Sequence, residues 1–185
     1  KVIHHQKIVD QLSTDHNIIP LKFGSLFKTE ESVREMLNKR SDEFMQLLLR
    51  FEGKKEWGLK LFYSESTLQS WLTAETSELN VARKQVDSAN DGSSFLLKKK
   101  LEEKLKESVK EELNGIRKFI YDKALEATAE LQVQNEQDQR LSERKERNFL
   151  NLSMLLNQKE KNKFSTLLEV EDERLKPKGI LTELS

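Results

Sequence analysis

One long apolar stripe constrains the fold of this chain more than any other feature. Between residues 95 and 127 the apolar side chains recur at helical spacing: Leu97, Leu101, Leu105, Val109, Leu113, Ile116, Ile120 and Ala124. A helix rises about 1.5 Å per residue, so a helix of this length would span roughly 50 Å, which exceeds the width of a small domain. We therefore expect part of it to project beyond its own core. Two arrangements are possible for this stripe. It packs within the chain, or the part of the helix that projects beyond the core contacts another helix, another domain or another molecule.

The composition favours long helices and excludes several classes of function. The chain has only six Gly and two Pro in 185 residues, and it has no Cys, so a disulfide scaffold, a Cys-ligated zinc site and a thiol nucleophile are excluded. Lys plus Arg and Asp plus Glu both number 32, whereas nucleic acids and anionic membranes attract an excess of positive charge. No apolar run approaches the roughly 18 residues of a membrane span. We expect a soluble, cytoplasmic protein that binds neither nucleic acid nor membrane.

The first 54 residues predict an incomplete α+β unit. Its expected elements are a helix over 2–14, a strand over 17–27 and a helix over about 30–52. The strand is rich in β-branched, aromatic and bulky side chains, and Pro20 would confine it to a sheet edge, a strand start or a bulge. Thr29 is a good N-cap for the second helix. Because a lone strand cannot satisfy its own backbone, residues 1–54 are interpreted as the C-terminal part of an N-terminal α+β domain.

From Glu56 onward the pattern predicts a ferredoxin-like domain. Strands are expected over 56–63, 128–134, 148–157 and 180–184, helices over 66–86, 95–127 and 159–175, and loops at 88–94 and 135–147. This order is the split β-α-β-β-α-β pattern, whose helices cover one face of a four-stranded antiparallel sheet. The fold class is therefore α+β. The second domain would cover 55–185, with its first crossover enlarged by a helical insertion over about 66–127.

A search for catalytic or ligand-binding chemistry finds no convergent set of residues. The histidines are His4, His5 and His16, and two adjacent residues of a helix point in different directions, so they form a poor chelating pair. There is no phosphate-binding glycine loop and no Gly-x-Ser-x-Gly elbow. The many acidic residues fall mainly on polar helix faces beside lysines, as expected of a solvated surface. We expect no catalytic residue, no metal and no cofactor.

Two stretches carry the unusual residues of this chain. They are IPLKFGSLF, from Ile19 to Phe27, and EWGLKL, from Glu56 to Leu61. In this order they resemble the two signature stretches of the gas vesicle protein F/L family, "lP-v-(R/K)-F-G-t-v-F" and "eWgvKv". The residues that match these signatures are Pro20, Phe23, Gly24, Trp57, Gly58 and Lys60.

Weaker agreements extend the resemblance over almost the whole chain. Residues 91–100 resemble the start of the family's long helix, 141–156 include residues similar to one of its strands, and 179–185 resemble the strand before its usual ending. The family's N-terminal strands and its Trp-Pro-rich ending have no counterpart before Lys1 or after Ser185. We expect these segments to be truncated or disordered.

The resemblance implies an accessory protein of gas vesicle assembly, which acts in the cytoplasm and at the gas vesicle. Such a protein is not an enzyme, and it binds the small hydrophobic wall subunit, other gas vesicle proteins, or both. Its fold would be an α+β first domain followed by a ferredoxin-like second domain. The wall subunit is prone to premature aggregation through its apolar surface and strand edges.

Three residues are predicted to contact the partner: Phe23, Leu26 and Phe27. The edge strand around them would hold the wall subunit by strand addition, or an apolar helix face would hold it by docking. A second interpretation makes Phe23 and Trp57 core residues and gives Gly24 and Gly58 a backbone role. A rival function is a small-ligand-sensing regulatory module, which rests on analogy with other ferredoxin-like sheets and predicts a concave pocket with converging polar groups.

Overall fold

The protein divides into two compact units, Lys1–Lys55 and Glu56–Ser185. A computed structural model describes residues 2–128, 130–135 and 144–185. Helices and a four-stranded antiparallel sheet are both present, so the α+β fold class is confirmed.

The first unit contains three helices. They are α1 (Val2–Asp15), α2 (Glu30–Lys39) and α3 (Ser41–Phe51). The predicted N-cap is confirmed, because the Thr29 side chain accepts a hydrogen bond from the Ser32 amide. The single helix predicted over 30–52 is instead broken at Arg40, which ends α2 and precedes α3.

The prediction of a strand over residues 17–27 is wrong. These residues form an irregular connection with a turn at Phe23 and Gly24, where Gly24 adopts a φ of 86°. A run of β-forming side chains becomes a strand only where another backbone pairs with it. None of the described residues supplies a partner strand here, since the sheet consists of four strands that all lie later in the chain.

The second unit has the predicted ferredoxin-like order of elements. Its elements are β1 (Lys54–Tyr63), α4 (Glu65–Glu75), α5 (Ser77–Asp87), α6 (Asp91–Ala127), β2 (Leu131–Val133), β3 (Arg147–Asn157), α7 (Gln158–Leu175), a short 3-10 helix (Lys176–Lys178) and β4 (Ile180–Leu184). The helix predicted over 66–86 is two helices that meet at Thr76, and the predicted loop at 88–94 is reduced to residues 88–90. Much of the loop predicted at 135–147 lies outside the described residues.

The sheet has the strand order β2-β3-β1-β4. β1 pairs antiparallel with β4, with Leu59 opposite Leu184, and β2 pairs antiparallel with β3. Asn148 joins the two central strands, because its side-chain amide donates to the Leu61 carbonyl of β1 at 3.0 Å and to the Leu150 carbonyl of its own strand at 3.1 Å. This side chain is buried, so its hydrogen bonds compensate the loss of water around it.

All buried apolar side chains of the described residues lie in the second unit. Alternate positions of β1 and β3 supply Leu59, Leu61, Leu150, Leu152, Met154 and Leu156, and the helices supply Leu101, Val109, Leu113, Ile116, Ile120, Ala124, Phe164, Leu168 and Leu175 among others. The predicted stripe of α6 therefore packs mainly within its own chain. Burial of each such side chain contributes roughly 1.5–3 kcal/mol relative to exposure.

The connection from α7 to β4 is held by a left-handed glycine. Gly179 has a φ of 71°, its amide donates to the Lys176 carbonyl, and its carbonyl accepts from the Ser64 amide, both at 2.9 Å. A Cβ atom at Gly179 would lie 2.6 Å from Cβ of Thr67 in α4. Glycine is therefore required here both for the backbone angle and for the close approach of α4.

Candidate functional site: an exposed apolar surface

The apolar side chains of the first unit are more exposed to solvent than those of the second unit. No described side chain between residues 2 and 55 is buried. Of the 18 large apolar residues that are exposed in the described parts of the chain, 11 lie in this unit: Val2, Ile3, Ile8, Leu12, Leu21, Phe23, Leu26, Phe27, Leu37, Met45 and Leu49. Large exposed apolar patches often mark binding surfaces, whereas apolar residues scattered singly over a surface need no such explanation.

The three predicted contact residues lie together on one exposed loop, which we call the 21–28 loop. Leu26 is 94 % exposed, Phe23 is 48 % exposed and Phe27 is 40 % exposed. The turn at its start is closed by the Ser25 amide, which donates to the Lys22 carbonyl at 3.0 Å, and by the Ser25 hydroxyl, which donates to the same carbonyl at 2.7 Å. The positive φ of Gly24 permits this turn.

The ring of Phe23 is supported by α1. The centroids of the Phe23 and His5 rings lie 5.5 Å apart with the planes at 72°, which is an edge-to-face contact. Among the described residues, no group of three or more His, Asp or Glu side chains converges as a metal site would require. The observed contact of His5 is thus an aromatic one.

The signature residues of β1 have different environments. Trp57 packs against the core of the second unit, and the Lys161 ammonium lies 5.0 Å from its ring centroid. The interpretation as a core residue therefore fits Trp57, whereas Phe23 is half exposed. Gly58 exchanges two hydrogen bonds with Ser185, at 2.7 and 2.9 Å, and a Cβ there would meet only side-chain and backbone oxygens of Ser185 at 3.5 Å or more. Lys60 is partly exposed on the same strand.

Ion pairs at the surface shift several pKa values. In the first unit, Arg40 donates hydrogen bonds of 2.8 and 2.6 Å to the Glu43 carboxylate, which lower the pKa of Glu43 and raise the pKa of Arg40. In the second unit, a hydrogen bond from Lys104 lowers the pKa of Glu78. Because these groups are exposed to water, such pairs contribute little to stability. They are the kind of interaction found on ordinary helix surfaces.

The second unit contains a polar cleft. It has a volume of about 580 Å³ and is lined by Ser66, Gln69, Ser70, Thr73 and Ala74 from α4, Asn80, Arg83, Lys84 and Asp87 from α5, and Leu105 from α6. Arg83 lies 3.8 Å from Asp87, and both are largely exposed. The cleft brings together hydroxyl, amide and cationic groups that no sequence motif singles out.

Sequence reasoning also missed much of the apolar surface of the first unit. Ile3 is exposed although it lies on the apolar stripe of α1. Met45 and Leu49 are exposed on α3, off the stripe that includes Leu47 and Leu48. Such a stripe indicates that one face is apolar, and it does not indicate whether another part of the chain covers that face. One sequence signal could have indicated their exposure: a unit of about 55 residues has too little interior to bury this many large apolar side chains.

Among the helices that the structure describes, none has an apolar stretch of the length that a membrane span requires.

Residues 1–184 match the family described as gas vesicle synthesis protein GvpL/GvpF. The chain belongs to the GvpL/GvpF family. This membership confirms the resemblance drawn from the Phe23-Gly24 and Trp57-Gly58 stretches.

Two relatives in the GvpL/GvpF family share modest sequence identity with this chain. Gas vesicle protein L of Haloferax mediterranei is 30 % identical over 108 residues, which are 57 % of this chain and 34 % of the relative. Gas vesicle protein L of a Streptomyces species is 29 % identical over 65 residues, which are 35 % of this chain and 24 % of the relative. The matches thus span about a third or less of each relative's length.

Two solved GvpF structures share the fold. The crystal structure of gas vesicle protein GvpF from Anabaena matches with a TM-score of 0.70 at 16 % sequence identity. The match covers 100 % of this chain and 72 % of the GvpF chain. The crystal structure of GvpF from Microcystis aeruginosa matches with a TM-score of 0.59 at 17 % sequence identity. This match covers 97 % of this chain and 71 % of the GvpF chain. At these identities the likeness establishes the fold alone.

Proposed function

We propose that this protein is a non-catalytic accessory factor of gas vesicle assembly, which binds the hydrophobic wall subunit through the 21–28 loop and the apolar side chains around it. Phe23, Leu26 and Phe27 make the contact. The protein acts in the cytoplasm and at the growing vesicle, and other gas vesicle proteins are further partners. It uses no metal and no cofactor in this role.

The observation that carries this proposal is the uneven distribution of exposed apolar side chains. The first 55 residues hold 11 of the 18 exposed large apolar residues in the described parts of the chain, together with none of the buried ones. Apolar surface that remains in water is unfavourable, and it becomes favourable when a partner covers it. A wall subunit with apolar surface of its own is a partner of matching chemistry.

Aromatic residues are the expected anchors within this surface. Aromatic side chains bury a large apolar area when they leave water, and a few residues carry most of the affinity in a typical interface. Phe23 and Phe27 flank Leu26 on the same short loop, so a partner can cover all three at once. Membership of a gas vesicle synthesis family supports the identity of the partner.

Replacing Phe27 with Asp is expected to reduce capture of the wall subunit by about tenfold or more, because a buried carboxylate replaces an apolar ring in the interface. The measurement is co-purification of the wall subunit with the full chain, quantified against the wild type. Circular dichroism and the thermal unfolding midpoint establish that the variant is folded. Since Phe27 is exposed, its loss should leave the fold intact.

Val170→Asp is the matched control for this experiment. Val170 is 68 % exposed and lies on α7 in the second unit, so the same charge is introduced at an exposed apolar residue outside the proposed surface. Capture should remain at the level of the wild type. Unchanged capture by a folded Phe27→Asp variant, or an equal loss in both variants, would contradict the proposed contact.

The polar cleft favours the rival function, a small-ligand module. Its volume of about 580 Å³ lies within the usual range of ligand sites, roughly 300–1,000 Å³. Arg83 and Lys84 on one wall supply the positive charge that a small anion needs, although the Asp87 carboxylate lies 3.8 Å from Arg83. The hydroxyls of Ser70 and Thr73 on the other wall already donate to backbone carbonyls of α4, so the two cations would be the main contacts.

If the cleft binds anions, inorganic phosphate at constant ionic strength should raise the unfolding midpoint by about 2–4 °C for each kcal/mol of binding. The double variant Arg83→Gln with Lys84→Gln should remove this rise. Lys159→Gln with Lys163→Gln, two exposed positions of α7, should keep it. The rival function loses its support if phosphate has no effect, or if both double variants respond equally.

A further inference from the structure

The shape of the 21–28 loop distinguishes how it can bind. Its turn is fixed by the two hydrogen bonds from Ser25 to the Lys22 carbonyl, and Leu26 follows directly with nearly its whole side chain in water. Strand addition needs an extended backbone with unpaired amides and carbonyls, and this loop has a closed turn instead. The loop therefore presents a convex apolar side chain.

A convex anchor needs a concave partner. Full burial of one Leu side chain contributes roughly 1.5–3 kcal/mol, but only if apolar atoms surround it on all sides. A flat apolar partner would cover only part of the Leu26 side chain. It would contact the larger side chains of Phe23 and Phe27 just as well. The exposure of 94 % for Leu26 against 48 % and 40 % for the two aromatic rings makes Leu26 the side chain with most to gain from a pocket.

The charges around Leu26 indicate what surrounds that pocket. Lys22 and Lys28 lie at the two ends of the loop, and both are exposed. Neither forms an ion pair with any residue that the structure describes. Residues 16–29 contain no Asp and no Glu, although the chain as a whole has 32. The loop thus carries a lysine without an ion pair among the described residues on each side of Leu26, and the nearest carboxylates along the chain are Asp15 and Glu30.

We propose that the 21–28 loop inserts Leu26 into an apolar pocket on a folded partner protein, and that carboxylates at the rim of this pocket pair with Lys22 and Lys28. This inference rests on the proposed function, since it specifies the chemistry of the partner that binds the same surface. Apolar insertion supplies most of the affinity. The rim charges set the orientation, raise the association rate and make binding sensitive to salt.

The experiment measures binding of the full chain to the solubilised wall subunit from about 50 mM to about 500 mM salt, so that screening of the rim charges can be seen. Leu26→Ala should weaken binding about tenfold, because most of the side chain is lost from the pocket. Lys22→Glu with Lys28→Glu should weaken binding about tenfold at low salt and reverse its salt dependence, because salt then screens a repulsion between like charges.

Two matched variants control for general effects. Leu96→Ala removes a well-exposed Leu of α6 in the second unit, outside the proposed surface. Lys7→Glu with Lys39→Glu makes the same change of net charge at exposed positions outside the loop. Both should stay within about twofold of the wild type, because neither alters Leu26 or the two lysines of the loop. Thermal unfolding checks that every variant is folded.

The outcomes separate this inference from the proposed function. If the wall subunit is captured and Phe27→Asp abolishes capture, while Leu26→Ala and the loop charge reversal change nothing, the insertion model is wrong and the proposed function stands. If the wall subunit is not captured at all, both fall. If sedimentation shows that the chain alone dimerises and that Leu26→Ala abolishes the dimer, the pocket belongs to a second copy, and the inference is overturned.

Discussion

Replacing Gly179 with Ala is expected to destabilise the protein by about 3 kcal/mol, which corresponds to a fall of about 6–12 °C in the unfolding midpoint for a chain of this size. Two effects add. A non-glycine residue in the left-handed conformation costs about 1–2 kcal/mol, and the new methyl group would lie 2.6 Å from Cβ of Thr67. Because a Cβ atom is fixed to its backbone, α4 or the connection to β4 must shift.

Two other glycines serve as controls for this prediction. Gly53 has a φ of 65°, and no atom lies within 4 Å of the place that an alanine methyl group would occupy, so Gly53→Ala should show the conformational cost alone, about 1–2 kcal/mol. Gly58 has neither a positive φ nor a contact shorter than 3.5 Å, and Gly58→Ala should be nearly neutral. Thermal and urea unfolding of the three variants measure the differences.

A double variant isolates the steric part. In a Thr67→Gly background the clash is removed, so Gly179→Ala should cost about 1–2 kcal/mol, as Gly53→Ala does. If Gly179→Ala costs the same with Thr67 and with Gly at that position, the close approach of α4 is not what requires glycine.

Asn148→Asp is expected to destabilise the protein by about 3–5 kcal/mol, the usual cost of an uncompensated buried charge. The substitution keeps the shape of the side chain but replaces its NH₂ donor with an oxygen. That oxygen would face the carbonyls of Leu61 and Leu150, at 3.0 and 3.1 Å from the atom it replaces. Both central strands of the sheet are therefore affected.

The effect should depend on pH in a defined direction. Burial and the facing carbonyls favour the protonated carboxyl, so its pKa in the folded protein would lie above the ordinary value of about 3.9. The deficit in unfolding free energy relative to the wild type should shrink as the pH falls from 7 toward about 4, because the protonated form can donate one hydrogen bond again.

Asn151→Asp is the control on the same strand. Asn151 donates one hydrogen bond at 3.0 Å to the Asn135 carbonyl at an exposed position, and its loss should cost about 1 kcal/mol or less. Equal destabilisation by the two substitutions, or a pH-independent deficit for Asn148→Asp, would show that the buried amide does not hold β1 and β3 as described.

The sequence predicted the second unit well because its periodic patterns coincide with real burial. Leu59 and Leu61 alternate on β1, and Ile116 and Ile120 repeat on α6, so each element's apolar face could be read before its partners were known. The first unit was harder to predict. The β-forming residues around Pro20 indicated a strand, but a strand depends on a pairing backbone that local sequence does not specify.

Two helix breaks carried a signal that the apolar spacing concealed. α3 begins with Ser41 and Asp42, and α5 begins with Ser77 and Glu78. Acidic residues in the first turn are typical of a helix start, because carboxylates interact favourably with the positive end of the helix dipole. The apolar stripe continued across both breaks, so periodicity alone predicted one helix in each case.

The sequence nominates the candidate contact residues but does not predict how exposed each of them is, and their role in binding remains a prediction. Phe23, Leu26 and Phe27 were chosen through the family resemblance, and only the structure shows that Leu26 protrudes while the two rings are half covered. Exposure depends on which neighbours reach a side chain, and local sequence does not contain that information. The cleft beside Arg83 and Lys84 was missed for the same reason, since it arises from the packing of two helices.

The first 55 residues have a consequence for how much of this protein a cell can tolerate. Exposed apolar side chains in this number are a risk of aggregation until a partner or another segment covers them. If the protein binds the wall subunit as proposed, its cellular level should follow that of the wall subunit closely. Co-transcription of the two genes, or rapid turnover of the unengaged molecule, would meet that requirement.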